Sequence, residues 1–229
     1  MAEIVLALDL PDPDAALRLL DRLPSLRWVK VGPILMTRAG APFVQHLAAR
    51  KLRVFLDLKW HDIPHTVAGA VSSVRELGVS MATVHLLGGS AMLEAASKAA
   101  GDAVALVGVT VLTSHDATSY GEAVGRTDVG LDAEVVRLAA VARAAGLAGV
   151  VCSPRELVGV RRAWPGATLV IPGIRRRSDP AGDQVRVSSA GDAARDGATH
   201  LVVGRPVLQA ADPAAVLREL SEEAGCARV

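Results

Sequence analysis

The chain of 229 residues is 51% hydrophobic but only 3% aromatic, so its core must be built mainly from Ala, Val and Leu, and stacking platforms for bases are scarce. With 25 basic and 24 acidic residues the formal charge is +1, which excludes a broad field for nucleic acid or an anionic membrane. No stretch approaches eighteen uninterrupted apolar residues, and no basic, apolar and small-residue leader pattern opens the chain, so the expected location is the cytoplasm.

Short β-branched runs recur at 4–9, 28–32, 53–59, 81–85, 103–110, 149–152, 168–171 and 200–203. Each is followed by an Ala/Leu-rich stretch with helical spacing, among them 14–23, 66–77 and 132–145, which start near Asp or Thr and end near Gly. This alternation predicts an α/β fold with a parallel sheet, and eight such units in this length predict a TIM (β/α)8 barrel, one catalytic domain over residues 1–229. An open doubly wound sheet is the alternative, but the first strand exits into Asp9-Leu10-Pro11-Asp12-Pro13, which has no glycine fingerprint. The stretch 114–130 reads as a structure-poor insert at the barrel's C-terminal mouth, placed to help cover a site. Cys152 and Cys226 form neither a disulfide framework nor a metal-type spacing.

The third run ends in Asp57-Leu58-Lys59-Trp60-His61-Asp62. Strand periodicity of two puts Phe55, Asp57 and Lys59 on one face, and in a barrel the inward residues at strand C-termini line the mouth. An isolated Asp/Lys pair on a strand is as often a structural ion pair as a functional one. Asp9 and Lys30, at the ends of the first two strands, raise the number of converging charges beyond what a core needs. Asp62 is placed to close an alternating Lys30–Asp57–Lys59–Asp62 array, in which opposite charges keep both lysines protonated and fixed. Ile63-Pro64 then sets an extended entry to a helix beginning near Thr66. His61 and His65 are four apart, yet Pro64 between them and the lack of a further ligand argue against zinc. His85, ending the fourth strand, reads as a hydrogen-bonded structural histidine.

Strands seven and eight exit into Pro172-Gly173-Ile174-Arg175 and Gly204-Arg205-Pro206, the two loops at which such barrels commonly bind phosphate. Gly204 offers an approachable backbone N–H and Arg205 a bidentate cation. Arg175 is the member of the Arg175-Arg176-Arg177 triplet assigned to the ligand, since a basic triplet is usually a solvated face. The polar stretch 176–183 reads as a loop that orders over bound ligand, with the Gln184 amide just beyond it.

Taken together, these segments resemble the orotidine 5′-phosphate decarboxylase family, whose signature Asp-x-Lys-x-x-Asp-Ile-Pro reads here Asp57-Leu58-Lys59-Trp60-His61-Asp62-Ile63-Pro64. The likeness also takes in Leu8-Asp9, Val29-Lys30-Val31-Gly32, Thr83-Val84-His85 with Gly88-Gly89, Val111-Leu112-Thr113-Ser114, Pro172-Gly173-Ile174-Arg175, Asp183-Gln184 and Gly204-Arg205-Pro206, in order along nearly the whole chain. It implies loss of CO₂ from orotidine monophosphate to give uridine monophosphate without metal or organic cofactor. Lys59 would stabilise the carbanion at C6 and deliver its proton, and Asp57 would lie near the departing carboxylate. Lys30 and Asp9 resemble the ribose-contacting and network residues, and Arg175, Gln184, Gly204 and Arg205 the phosphate grip. Thr113 or Ser114 would meet the pyrimidine. Family members are homodimers in which the Asp-Ile-Pro segment enters the neighbouring site, so Asp62, Ile63 and Thr66 are expected to act across an interface. Trp60 stands where a smaller apolar residue is usual, and His65 where asparagine is common.

Two rival readings remain at this level. A Mg²⁺-dependent sugar-phosphate lyase or decarboxylase of the same superfamily shares Asp-x-Lys-x-x-Asp but needs a further acidic ligand near the second strand, and no acidic residue occurs from Val31 through Lys51. A non-catalytic phosphate-binding barrel would keep the Arg205 end without needing the charged array.

Overall fold

Eight parallel strands close on themselves in chain order in the computed structural model, which describes residues 2–176 and 187–225. They are β1 (Glu3–Ala7), β2 (Trp28–Val31), β3 (Arg53–Trp60), β4 (Met81–His85), β5 (Ala105–Val109), β6 (Gly149–Val151), β7 (Thr168–Ile171) and β8 (His200–Val203). The helices are α1 (Pro13–Asp21), α2 (Pro33–Ala49), α3 (Pro64–Glu76), α4 (Gly89–Ala100), α5 (Ala117–Val124), α6 (Leu131–Ala144), α7 (Leu157–Ala163), α8 (Ala190–Arg195), α9 (Arg205–Leu208) and α10 (Pro213–Glu223). The predicted eight-unit alternation is therefore present, and all eight predicted strands exist within a few residues of their expected bounds.

Two apolar clusters follow from strand alternation. Side chains pointing outward meet the helices in the larger cluster, which includes Leu6, Leu56, Leu93, Leu138 and Leu201. Those pointing inward fill the barrel with Val5, Ala7, Trp28, Phe55, Met81, Val107, Val170 and Val202. With so few aromatic residues the filling depends on close backbone approach. At Gly149 a Cβ would lie 1.8 Å from the Thr168 carbonyl oxygen, so only glycine lets β6 and β7 meet there. Below the filling, at the N-terminal end, the Arg53 guanidinium stands 4.3 Å from the Trp28 ring centroid, and His200 meets the same ring edge-on at 4.8 Å. The Trp28 indole N–H is buried and has no hydrogen-bond partner among the described residues.

Helix starts obey local capping chemistry. Asp12 caps α1 by accepting from the Asp14 N–H, and Asp212 caps α10 by accepting from the Ala215 N–H. Pro64 occupies the first turn of α3, so that helix begins at the proline itself, two residues ahead of Thr66. α2 is interrupted at Gly40, whose φ of 63° lies in the left-handed region.

The stretch expected to be structure-poor contains α5. Asp116 and Ser119 form a reciprocal capping box at its start, and Gly125 ends it in the left-handed conformation. The helix is tied down by Glu134 of α6, a buried carboxylate that accepts from the Tyr120 hydroxyl (3.1 Å), Arg126 (3.1 Å) and Arg137 (2.7 and 2.9 Å). These bonds, led by Arg137, hold the Glu134 carboxyl well below the usual carboxylate range. Thr118, Ser119 and Gly121 are weak helix formers, so the helical reading was masked and tertiary contacts supply what propensity does not.

Candidate active site

β3 pairs regularly with β4 through Phe55–Met81 and Leu56–Ala82, and pairing resumes only at Trp60–Val84. Asp57, Leu58 and Lys59 thus stand opposite Thr83 alone, a bulge at the end of the strand. Lys59 adopts φ 53°, a left-handed conformation that costs a non-glycine residue about 1 kcal/mol. Its backbone N–H donates to Thr83 Oγ1 at 2.8 Å, and that hydroxyl donates to Asp57 Oδ1 at 3.1 Å. Lys59 Nζ donates to the same Asp57 oxygen at 2.9 Å. Asp57 and Lys59 meet as expected, but by a bulge and a reversed backbone rather than by simple alternation.

Lys30, 8% exposed, continues the line of charge. Its Nζ donates to Asp9 Oδ1 at 2.9 Å and lies 3.6 Å from Asp57 Oδ2. Gly32 closes over this pair, since a Cβ there would stand 3.2 Å from both Asp9 Oδ1 and Lys30 Nζ. The array within the chain is therefore Asp9–Lys30–Asp57–Lys59, carried on three adjacent strands with alternating sign.

Asp62 does not close the array at the Lys59 end within this chain. Its carboxylate is exposed and accepts the Ile63 backbone N–H, and no ion pair joins it to Lys59 among the described residues. Every residue from His61 through Thr66 is exposed, and Ile63 is 66% exposed. The strand direction carries these residues outward over the rim before α3 turns them back.

A cavity of about 580 Å³ opens above the array. Asp9, Lys30, Asp57 and Lys59 form one side, Phe55 and the inward valines the floor, and Thr113, Arg175, Gly204 and Arg205 the rest of the wall. Arg175 is buried, with its Nη1 donating to the Ile174 carbonyl at 2.8 Å, while its backbone N–H donates to the Ser188 carbonyl at 3.0 Å. Arg176, by contrast, lies 3.8 Å from Glu219. Gly204 precedes α9, and Arg205 opens it beside Pro206. Gln184 and residues 177–183 of the polar loop lie outside the described residues. Gln209 lines the cavity without having been singled out from sequence, as do Leu112, quoted only within the family match, and Cys152, for which the sequence suggested no site role. Thr83 was quoted only within a family match, although a hydroxyl two residues before His85 in an otherwise apolar strand is a legible signal.

His61 pairs with His85, not with His65. Their rings stack at 5.4 Å with planes 17° apart. His85 Nδ1 accepts the Leu87 N–H at 3.3 Å, which fixes the proton of the neutral ring on Nε2. Burial, then the neighbouring His61 and Lys59, push the His85 pKa down to about 4, so this ring is neutral near pH 7. No group of three His, Cys, Asp or Glu side chains suited to a metal ion occurs among the described residues.

The closed barrel and the charged cavity at its C-terminal mouth define an enzyme of the TIM-barrel class. The family model described as "Orotidine 5′-phosphate decarboxylase / HUMPS family" matches residues 2–220, and the chain belongs to that family. A curated relative named orotidine 5′-phosphate decarboxylase from Alkalilimnicola ehrlichii is 48% identical, over 97% of this chain and 96% of the relative. One of the same name from Sphingopyxis alaskensis is 45% identical, over 95% and 96%. Among solved structures, the orotidine 5′-phosphate decarboxylase of Lactobacillus acidophilus is similar with a TM-score of 0.85 and 32% identity, covering 99% of this chain and all of that one.

Proposed function

We propose that this protein decarboxylates orotidine 5′-monophosphate to uridine 5′-monophosphate, the last step of de novo UMP synthesis. The observation that carries the reading is the Asp9–Lys30–Asp57–Lys59 array at the cavity mouth, beside a wall bearing Arg175 and Arg205. In the reaction the C6–carboxylate bond breaks, CO₂ departs, and the electron pair left on C6 takes a proton from Lys59 Nζ. Lys59 regains its proton from water. Before reaction its ammonium is aimed by Asp57 and by the strained backbone, so little reorganisation accompanies the growth of charge on C6. Asp57 faces the substrate carboxylate, and Asp9 with Lys30 contacts the ribose. The phosphate rests on Arg175, Arg205, the Gly204 N–H and Gln184, and Thr113 meets the pyrimidine.

The competing Mg²⁺-dependent reading within the same family needs a cation held by clustered carboxylates. The position between the Asp9 and Asp57 carboxylates belongs instead to the Lys30 ammonium. This favours a reaction without metal or organic cofactor. Loss of orotidine monophosphate absorbance with purified protein, at the same rate with and without EDTA, is the expected result. Turnover abolished by EDTA and restored by Mg²⁺ would assign the chain to the metal-dependent branch.

The active unit in this reading is a homodimer. The exposed run from His61 to Thr66, with Ile34, Ile63, Leu87 and Leu112 exposed just after the ends of four consecutive strands, is an apolar rim suited to a second copy. Asp62, Ile63 and Thr66 then enter the partner's cavity, where Asp62 completes the alternation beyond Lys59. The described residues include no helix long and apolar enough to cross a membrane. In this reading the protein works in the cytoplasm as one barrel domain over residues 1–229, with a nucleotide as ligand and no nucleic-acid or membrane partner.

A further inference from the structure

Thr83 is fully buried and is the sole residue of β4 opposite the three bulged residues of β3. A bulge leaves backbone groups without ladder partners, and here the Lys59 N–H is taken by Thr83 Oγ1 at 2.8 Å instead of by a strand carbonyl. A hydroxyl has one proton to give, and Thr83 sends it to Asp57 Oδ1 at 3.1 Å, the oxygen that also receives Lys59 Nζ. One side chain thus fixes the Lys59 main chain at φ 53° and the carboxylate that aims the Lys59 side chain. Valine would fill the same space but could do neither.

We propose that Thr83 is a positioning residue for Lys59, one that holds the bulge in the conformation from which the ammonium reaches the reacting carbon. The inference rests on the decarboxylase reading for its kinetic consequence. Its structural part, the bond that holds the Lys59 N–H, stands apart from that reading. Thr83 is fully buried and does not line the cavity, and the Arg205 end of the cavity is on the far strands, so chemistry rather than binding should respond.

The test compares Thr83→Val, Thr83→Ala and Thr83→Ser by steady-state kinetics on orotidine monophosphate and by amide hydrogen exchange of the Lys59 N–H in the free protein. Val and Ala should lower kcat by roughly 100-fold with KM held within about threefold, the pattern of an interaction realised only in the transition state. Ser, which keeps the hydroxyl, should recover most of kcat. The Lys59 amide should exchange quickly in Val and Ala and slowly in Ser and the parent. Ala carries the same expectations if Val does not fold. Parental kcat in Val or Ala, a Ser variant as impaired as Val, or equal losses in kcat and binding would overturn the assignment. If the parent itself leaves orotidine monophosphate unchanged, the decarboxylase reading fails, and Lys59 exchange alone decides: unaltered protection in Val and Ala refutes the role of Thr83, and its loss there with retention in Ser supports it.

Discussion

The two ends of this barrel carry similar chemistry to opposite ends. At the foot, Arg53 and His200 press on Trp28, so a cation and an imidazole are spent on covering an aromatic ring and closing the strands. At the mouth, two ammoniums and two carboxylates pair with one another and leave their remaining valences facing a cavity. At the foot Arg53 lies exposed over the ring while His200 is half-buried, and burial, helped by Arg53, pushes the His200 pKa down to about 4. The mouth keeps Asp9 and Lys59 partly exposed. What separates a stabilising charge from a reactive one here is which end of a strand it occupies and whether a neighbour or a ligand completes its contacts.

The comparison breaks most sharply at Lys59. Lys59→Ala should lower kcat by about 10³-fold or more while the melting temperature stays near the parent's, because the residue does chemistry without filling the core. Mixing Lys59→Ala with Asp62→Ala chains, each inactive alone, should restore roughly a quarter of parental activity, since a two-fold dimer then contains one intact site per mixed pair. No recovery on mixing would remove the shared-site reading. At the foot the signs reverse: Trp28→Ala should cost about 3–5 kcal/mol in urea unfolding, with KM unchanged in whatever protein remains folded. A Trp28 variant with normal stability would undo the contrast.

Arg205→Ala should weaken nucleotide binding by about 2–5 kcal/mol, read by calorimetry with uridine monophosphate. Unaltered affinity would take the phosphate away from this wall. The smallest expected effect is acid sensitivity. His200 and His85 are each lowered to about 4 from an ordinary value of 6.5, so between those values the unfolded chain binds more protons and stability rises with pH. Their contribution is complete above about pH 6.5 and is lost as pH falls toward 4. Urea midpoints over this range should fall less steeply in His200→Gln than in the parent, and identical slopes would refute the linkage.

The alternation of β-branched runs with Ala/Leu stretches made the barrel readable, because each strand buries an apolar face whatever its neighbours are. The meeting of Asp57 with Lys59 was readable too, but its geometry was not. Nothing between Leu56 and Trp60 signals a bulge, no glycine marks the left-handed residue, and the hydroxyl that stabilises it comes from another strand. Helix α5 escaped for the same kind of reason, its stability residing in Glu134 of α6. Asp62 was legible as a motif member, yet a single chain places it over the rim. Such a residue acquires a use only when a second molecule is considered.

The pairing of β1 with β8 sets a condition on how the protein is made. Glu3 lies beside His200 and Leu6 beside Val203, so the first strand stays without one neighbour until the last has left the ribosome, about two hundred residues later. Through that interval Val5 and Ala7 have no Val202 to complete the interior. Closure of the barrel therefore waits for β8, and a nascent chain stalled before it presents an open sheet edge to the holding chaperones of the cell.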